Sequence, residues 1–157
     1  PIVINGQGVH YHDVALESIL PAENYFKISK AEKKEGASGF QVLGLAHGSA
    51  LHFKKVRNIK AASNVALRAS NGGECRGRVD WHKGDENGPV FVSCSVIPTG
   101  TWHDYIDHAC TLLAPLPQDT VDLVITFNGC ASEEFARLDH ITFFVDEVHG
   151  DQSVAVI

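Results

Sequence analysis

Turn-forming clusters recur along this chain at short, regular intervals. They fall at residues 36–39, 70–73, 84–88, 98–100, 115–117, 128–129 and 149–151, each rich in Gly, Pro, Asn, Asp or Ser. Gly accepts positive φ, Pro presets φ near −65°, and Asn and Asp bond their own backbone, so each cluster can reverse the chain. The runs between them are brief and alternate. Val65, Leu67 and Ala69 form one series; Val90, Val92, Cys94 and Val96 a second; Val121, Leu123, Ile125 and Phe127 a third, ahead of a last strand at 141–145. Period-2 patterning in short runs separated by turns predicts an all-β sandwich or barrel rather than βαβ units. Residues 23–35 are the main helix candidate, but they are polar and lack a sustained i, i+3, i+4 apolar stripe.

A length of 157 residues suits a single domain, here expected over residues 1–157, and buries enough surface to hold a core. No apolar run approaches the about 18 residues of a membrane span, and no signal peptide opens the chain. No Met occurs, even at position 1, so a processed or excised start is expected. The net charge of −6 argues against nucleic acid, whose partners cluster Lys and Arg against phosphate.

Cys75, Cys94, Cys110 and Cys130 lack the close spacings of a zinc site. One or two disulfides are expected in an extracellular setting, against the alternative of buried free thiols. A hairpin centred near residues 85–86 would set Cys75 opposite Cys94, the pairing expected first. Cys110 with Cys130 is the competing arrangement. His10, His12 and Glu17 invite a metal reading, but H-x-H arises easily by chance among nine histidines. No Gly-x-Ser-x-Gly elbow, P-loop or dinucleotide fingerprint is present. Glu133 and Glu134 are adjacent and do not define the across-the-substrate pair of a glycosidase. A catalytic role is therefore not expected.

The stretch 99–143, reading TGTWHDYIDHACTLLAPLPQDTVDLVITFNGCASEEFARLDHITFF, resembles the C-terminal signature of family 6 carbohydrate-binding modules. That signature is Gly-Trp-Gln-x-Trp, an alternating strand ending in Val-Phe-x-Gly, then Asn-x-Asp-Trp-x-x-Phe. Upstream, the Leu20-to-Tyr25 segment looks like the family's Ile-x-Ala-Glu-Asp-Tyr, and residues 43–53 sit where the family carries Gly-Tyr-Ile-x-x-Gly-Asp-Trp-x-x-Tyr. The resemblance covers about residues 20–145. It implies a two-sheet β-sandwich of jelly-roll type with few or no helices. It also implies a non-catalytic module that binds a polysaccharide or oligosaccharide (β-glucan, xylan or agar-type) and is monomeric or tethered to a glycoside hydrolase or recognition protein outside the cell. The alternative is a structural or protein-interaction sandwich that has lost the sugar site.

By the same resemblance Trp102 lines a loop-end cleft, where an indole offers sugars a broad apolar face. Phe40, Arg137 and Tyr105 complete the candidate carbohydrate-binding set. The family's second platform aligns with Gly44, and its ligand-bonding Asn with Arg137. Arg137 would favour an acidic or sulfated sugar, unless it pairs with Glu133 or Glu134. A second site on a sheet face, supported in the family by a Trp, aligns with Ala50; alternation separates Arg78 and Asp80 there from Val79 and Trp81. A structural calcium is implied at Glu23 and Asp139, with Pro21 replacing one family carboxylate in a shell that wants six to eight oxygens.

Overall fold

The computed structural model describes residues 12–36, 39–130 and 133–145, with side chains 36–40 left aside. The alternating runs become strands in the expected places. β1 (His12–Asp13), β2 (Ile19–Pro21), β3 (Lys27–Ser29), β4 (Glu32–Gly36), β5 (Gly39–Leu45) and β6 (Ala50–Arg57) make up the first half. β7 (Ala62–Ser70), β8 (Gly77–Lys83), β9 (Val90–Val96), β10 (Ile106–Leu112), β11 (Val121–Asn128) and β12 (Ala136–Val145) follow. The polar segment weighed as a helix contributes one 3-10 turn, Ala22–Asn24, and then extends into β3 and β4.

Two sheets pack face to face. The first runs β6-β11-β8-β9, with β1 and β3 both laid on β6. The second runs β7-β12-β5-β4, with β2 also on β12. β10 joins them: Ile106 to Ala109 pair with β7, and Cys110 to Leu112 pair with β9. A strand that changes sheets at a corner lets the layers close over one core. The inward sets are those that alternation predicted, except Val90, which stands half-buried at the start of β9. Val121, Leu123, Ile125 and Phe127 are buried, as are Val92, Cys94, Val96, Val65, Leu67 and Ala69. Trp81 is fully buried beside Val79 and meets Phe91 and Phe143 edge-on at 6.3 and 5.9 Å, a favourable geometry for aromatic quadrupoles. His12 belongs to this interior too: its Nε2 bonds the Glu17 carbonyl oxygen at 2.9 Å and its ring lies 6.1 Å from Phe143. Burial holds its pKa below the ordinary histidine value. His10 lies outside the described residues.

The cysteines pair differently from both sequence expectations. Cys75 bonds Cys130, and Cys94 bonds Cys110. The β8–β9 hairpin does form, but its register sets Cys94 against Val79 and Gly77 against Val96. Cys75 precedes β8 and is thus several residues out of step with Cys94. The partner directly opposite Cys94 is Cys110 on β10, at a Cα separation of 4.2 Å.

Gly77 begins β8 because nothing larger fits. A Cβ there would run into the ring of fully buried Phe135. Gly77→Ala is expected to lower stability by about 2–3 kcal/mol, the cost of overpacking a closed core. Urea unfolding reads this directly, and an unchanged midpoint would refute it.

Candidate functional site

One end of the second sheet gathers most of the candidate residues. Ser70 stands opposite Arg137 across the β7–β12 pair, and Ile106 opposite Ala69 across β10–β7. Ala136 pairs with Leu45 and Leu138 with Val42, bringing Gly44 to the same edge. The loops leaving these strand ends carry Gly72, Gly73, Trp102 and Glu134.

Asn71 holds the arrangement together. It is fully buried; its Nδ2 donates to the Cys75 carbonyl at 2.7 Å and its Oδ1 accepts from the Gly73 amide at 3.0 Å. Its own amide donates to Thr99 Oγ1 at 3.0 Å, and its carbonyl accepts from the Thr99 amide at 2.8 Å. Every polar group of this side chain therefore has work in the loop, as a buried amide requires. The clamped Gly-Gly backbone lies against the indole of Trp102: a Cβ on Gly72 would stand 2.5 Å from Cδ1. Ser70 Oγ donates to the Trp102 carbonyl at 2.9 Å.

Trp102 is partly exposed at this rim, with the Arg137 guanidinium 4.6 Å over its ring. A cation over an indole face is attracted by the ring quadrupole, and planar Arg stacks well there. Arg137 is also paired with Glu134, Nε to Oε2 at 3.2 Å. That is the partner weighed from sequence, and it balances the positive charge. Glu134 Oε2 further accepts from the Gly44 amide at 2.7 Å. Gly44 has φ +77°, a conformation that disfavours side chains. The position where the resemblance would set a second aromatic thus has a backbone suited to glycine. Phe40 sits in β5 with its backbone opposite Glu35; its side chain is outside the described residues.

Tyr105 stands beside this group, half-buried. Its hydroxyl is sealed from solvent without a hydrogen bond of good geometry, within reach of Ser70, whose own proton goes to the Trp102 carbonyl. Burial raises its pKa above the ordinary tyrosine value. Tyr105, Gln41, Arg68, Thr99 and Asp139 line an open cleft of about 520 Å³ on the outer face of the sheet.

Glu23 and Asp139 lie at the same end of the β2–β12 pair, where His140 faces Pro21. Asp139 Oδ2 contacts His140 Nδ1 at 3.2 Å. Among the described residues, no third Asp, Glu, His or Cys ligand atom closes a group with these two. Two carboxylates fit a calcium shell only if backbone carbonyls and water complete it.

On the outer face of the first sheet, Arg78 Nε bonds Asp80 at 3.0 Å, Ser93 Oγ bonds Asp80 at 2.9 Å, and His82 Nε2 lies 2.9 Å from Thr126 Oγ1. Ala50 is buried, and Trp81 is turned to the core. This face is polar and internally bonded, with no aromatic at the position the resemblance marks.

Residues 21–144 match the family described as carbohydrate binding module (family 6). The fold is similar to a β-1,3-glucan binding family 6 module from Bacillus halodurans, at 16% identity and TM-score 0.78, covering 87% of this chain and 100% of that one. A Clostridium stercorarium module solved with cellobiose is similar at 16% identity and TM-score 0.73, covering 88% of this chain and 99% of that one. An arabinoxylan arabinofuranohydrolase from Bacillus subtilis is similar at 10% identity and TM-score 0.74, covering 87% of this chain but 28% of the enzyme. No curated protein shows significant sequence similarity to the chain. The match over most of its length, with a two-sheet fold to support it, makes this chain a member of family 6 of the carbohydrate-binding modules.

Proposed function

We propose that this module binds a polysaccharide or oligosaccharide at the rim formed by Trp102, Arg137 and Tyr105, without catalysing its cleavage, and delivers an attached glycoside hydrolase or recognition protein to its glycan. The observation that carries the reading is the partly exposed Trp102, seated on the Gly72–Gly73 backbone beside the guanidinium of Arg137. The exposed part of the indole offers sugar C–H groups an apolar surface, and the planar cation beside it offers sugar hydroxyls a donor. The similarity to part of a larger arabinofuranohydrolase supports tethering to an enzyme. Two disulfides accord with a secreted setting. Solved relatives are described with β-1,3-glucan, cellobiose and xylose, which sets the neutral glucans and xylan as first ligands to test.

A calcium ion belongs to the same reading, held by Glu23 and Asp139 together with carbonyl and water oxygens, and it would stabilise the strand pair rather than act on sugar. Binding only the folded state, it raises the melting temperature as its concentration rises.

A glycan array run with and without EDTA tests both parts. Binding to β-glucan, xylan or agar-type chains is expected, and the melting temperature should rise with added calcium and fall with chelator. A blank array would favour the structural or protein-interaction sandwich. The φ of +77° at Gly44, with no second aromatic platform there, is the observation on that side. A melting curve indifferent to calcium and chelator would remove the ion.

A further inference from the structure

Asparagine followed by glycine is a chemically labile pair, because glycine has no side chain to keep its nitrogen away from the asparagine amide carbon. The chain has four such pairs, beginning at Asn5, Asn71, Asn87 and Asn128. The first lies outside the described residues. Asn71 is fully buried with both polar atoms of its side chain bonded. The Gly88 amide that follows Asn87 donates to the Asp85 carbonyl at 2.9 Å, an oxygen too weakly basic to remove its proton. Asn128 differs from these. It ends β11 half-buried, on the polar groove it shares with Arg78 and Thr126, and its carboxamide has no hydrogen bond among the described residues. The Gly129 amide after it donates to His47 Nδ1 at 3.3 Å.

The turn that carries His47 is fixed from both sides. Ser49 Oγ donates to the Lys30 carbonyl at 2.7 Å and accepts from the Ala46 amide at 3.0 Å. The Gly48 amide donates to the Phe127 carbonyl at 2.9 Å, and the Phe127 amide to the Ser49 carbonyl at 3.0 Å. An imidazole nitrogen that accepts a hydrogen bond carries no hydrogen itself, so Nδ1 is the nitrogen free to take a proton and Nε2 holds the ring's own. The glycine is dictated as well. A Cβ on Gly129 would stand 2.6 Å from the ring of Phe135, which is fully buried.

We propose that Asn128–Gly129 is a site of spontaneous deamidation and isomerisation, with His47 as its general base. The Gly129 nitrogen attacks Asn128 Cγ and passes its proton to His47 Nδ1, which returns it to the side-chain nitrogen. The Cγ–Nδ2 bond breaks, ammonia leaves and a cyclic imide remains. Water then opens the imide. Cleavage at Cγ gives aspartate, and cleavage at the main-chain carbonyl gives isoaspartate, whose chain runs through Cβ and Cγ. The two products differ in what they ask of the fold. Aspartate at this position faces Arg78 across the β11–β8 pair and sets a carboxylate beside a guanidinium. Isoaspartate lengthens the main chain by an atom between β11 and Cys130, which its bond to Cys75 holds in place, and drives Gly129 toward Phe135.

Incubation of the folded protein at neutral pH and physiological temperature, followed by peptide mapping with fragmentation that separates aspartate from isoaspartate, tests this. Asn128 should convert ahead of Asn87, with Asn71 unchanged. His47→Gln keeps an acceptor for the Gly129 amide but removes the base. It should slow conversion at Asn128 by about a hundredfold, the lower end of what a positioned general base contributes, and leave Asn87 as it was. His47 is exposed, so the variant should fold as the parent does. The isoaspartyl protein, isolated by chromatography, should melt several degrees below the parent, whereas Asn128→Asp should melt close to it. Conversion of Asn87 ahead of Asn128, or a rate at Asn128 indifferent to His47→Gln, would overturn the proposal. An isoaspartyl form as stable as the parent would overturn the strain assigned to it.

Discussion

Trp102→Ala is expected to weaken glycan binding at least about thirtyfold, the 2 kcal/mol that marks a binding hot spot. The change removes the only described aromatic ring stacked with Arg137 at the rim. It leaves the core untouched, because Trp102 is partly exposed and rests on backbone rather than among core side chains. Arg137 keeps its pair with Glu134. The variant should therefore melt within a few degrees of the parent while its titration flattens. Undiminished affinity would place the sugar elsewhere, with the polar face around Arg78, Asp80 and His82 the next candidate.

Loss of both disulfides is expected to cost most of the protein's stability. Cys75–Cys130 closes a separation of 55 residues and Cys94–Cys110 one of 16. Chain-entropy reasoning assigns about 4 and about 3 kcal/mol to loops of these lengths. Their sum is comparable to the whole stability of a typical domain, about 5–15 kcal/mol. Denaturant unfolding under reducing conditions should show a large drop in midpoint, and a midpoint unchanged on reduction would contradict it. The paired substitutions Cys75→Ser with Cys130→Ser and Cys94→Ser with Cys110→Ser separate the contributions. The first pair should also weaken glycan binding. It ties the loop that carries Gly72 and Gly73 to the loop that carries Glu134, while Cys94–Cys110 joins two strands away from the rim.

The strands and their inward faces were legible because alternation is local. Val121, Leu123, Ile125 and Phe127 declare a half-buried strand without reference to any other segment, and the turn residues at 84–88 declare the β8–β9 reversal. Trp81 could likewise be assigned to the core from its step-two relation to Val79. The signature around Trp102 and Asp139 marked the family, since its residues recur in a fixed order along the chain.

Whatever depends on register between distant segments was not legible. The disulfide expectation failed by a few residues of hairpin register, enough to exchange Cys75 for Cys110 as the partner of Cys94. Asn71 looked like part of a turn, and only the fold shows it buried and bonded to Thr99 and Cys75. Arg137 could be given Glu133 or Glu134 as partner from sequence, but its position over Trp102 needed the β7–β12 pairing. The same holds for Arg68, Gln41 and Asp139 meeting in one cleft. Side-chain periodicity follows from a single strand's geometry, so the sequence by itself determined the all-β class, the core faces and the family. Which residues stand opposite one another depends on pairing and bulges between strands far apart in the chain, where a shift of one residue reverses every face; that part, with the binding rim and the disulfides, only the tertiary structure decided.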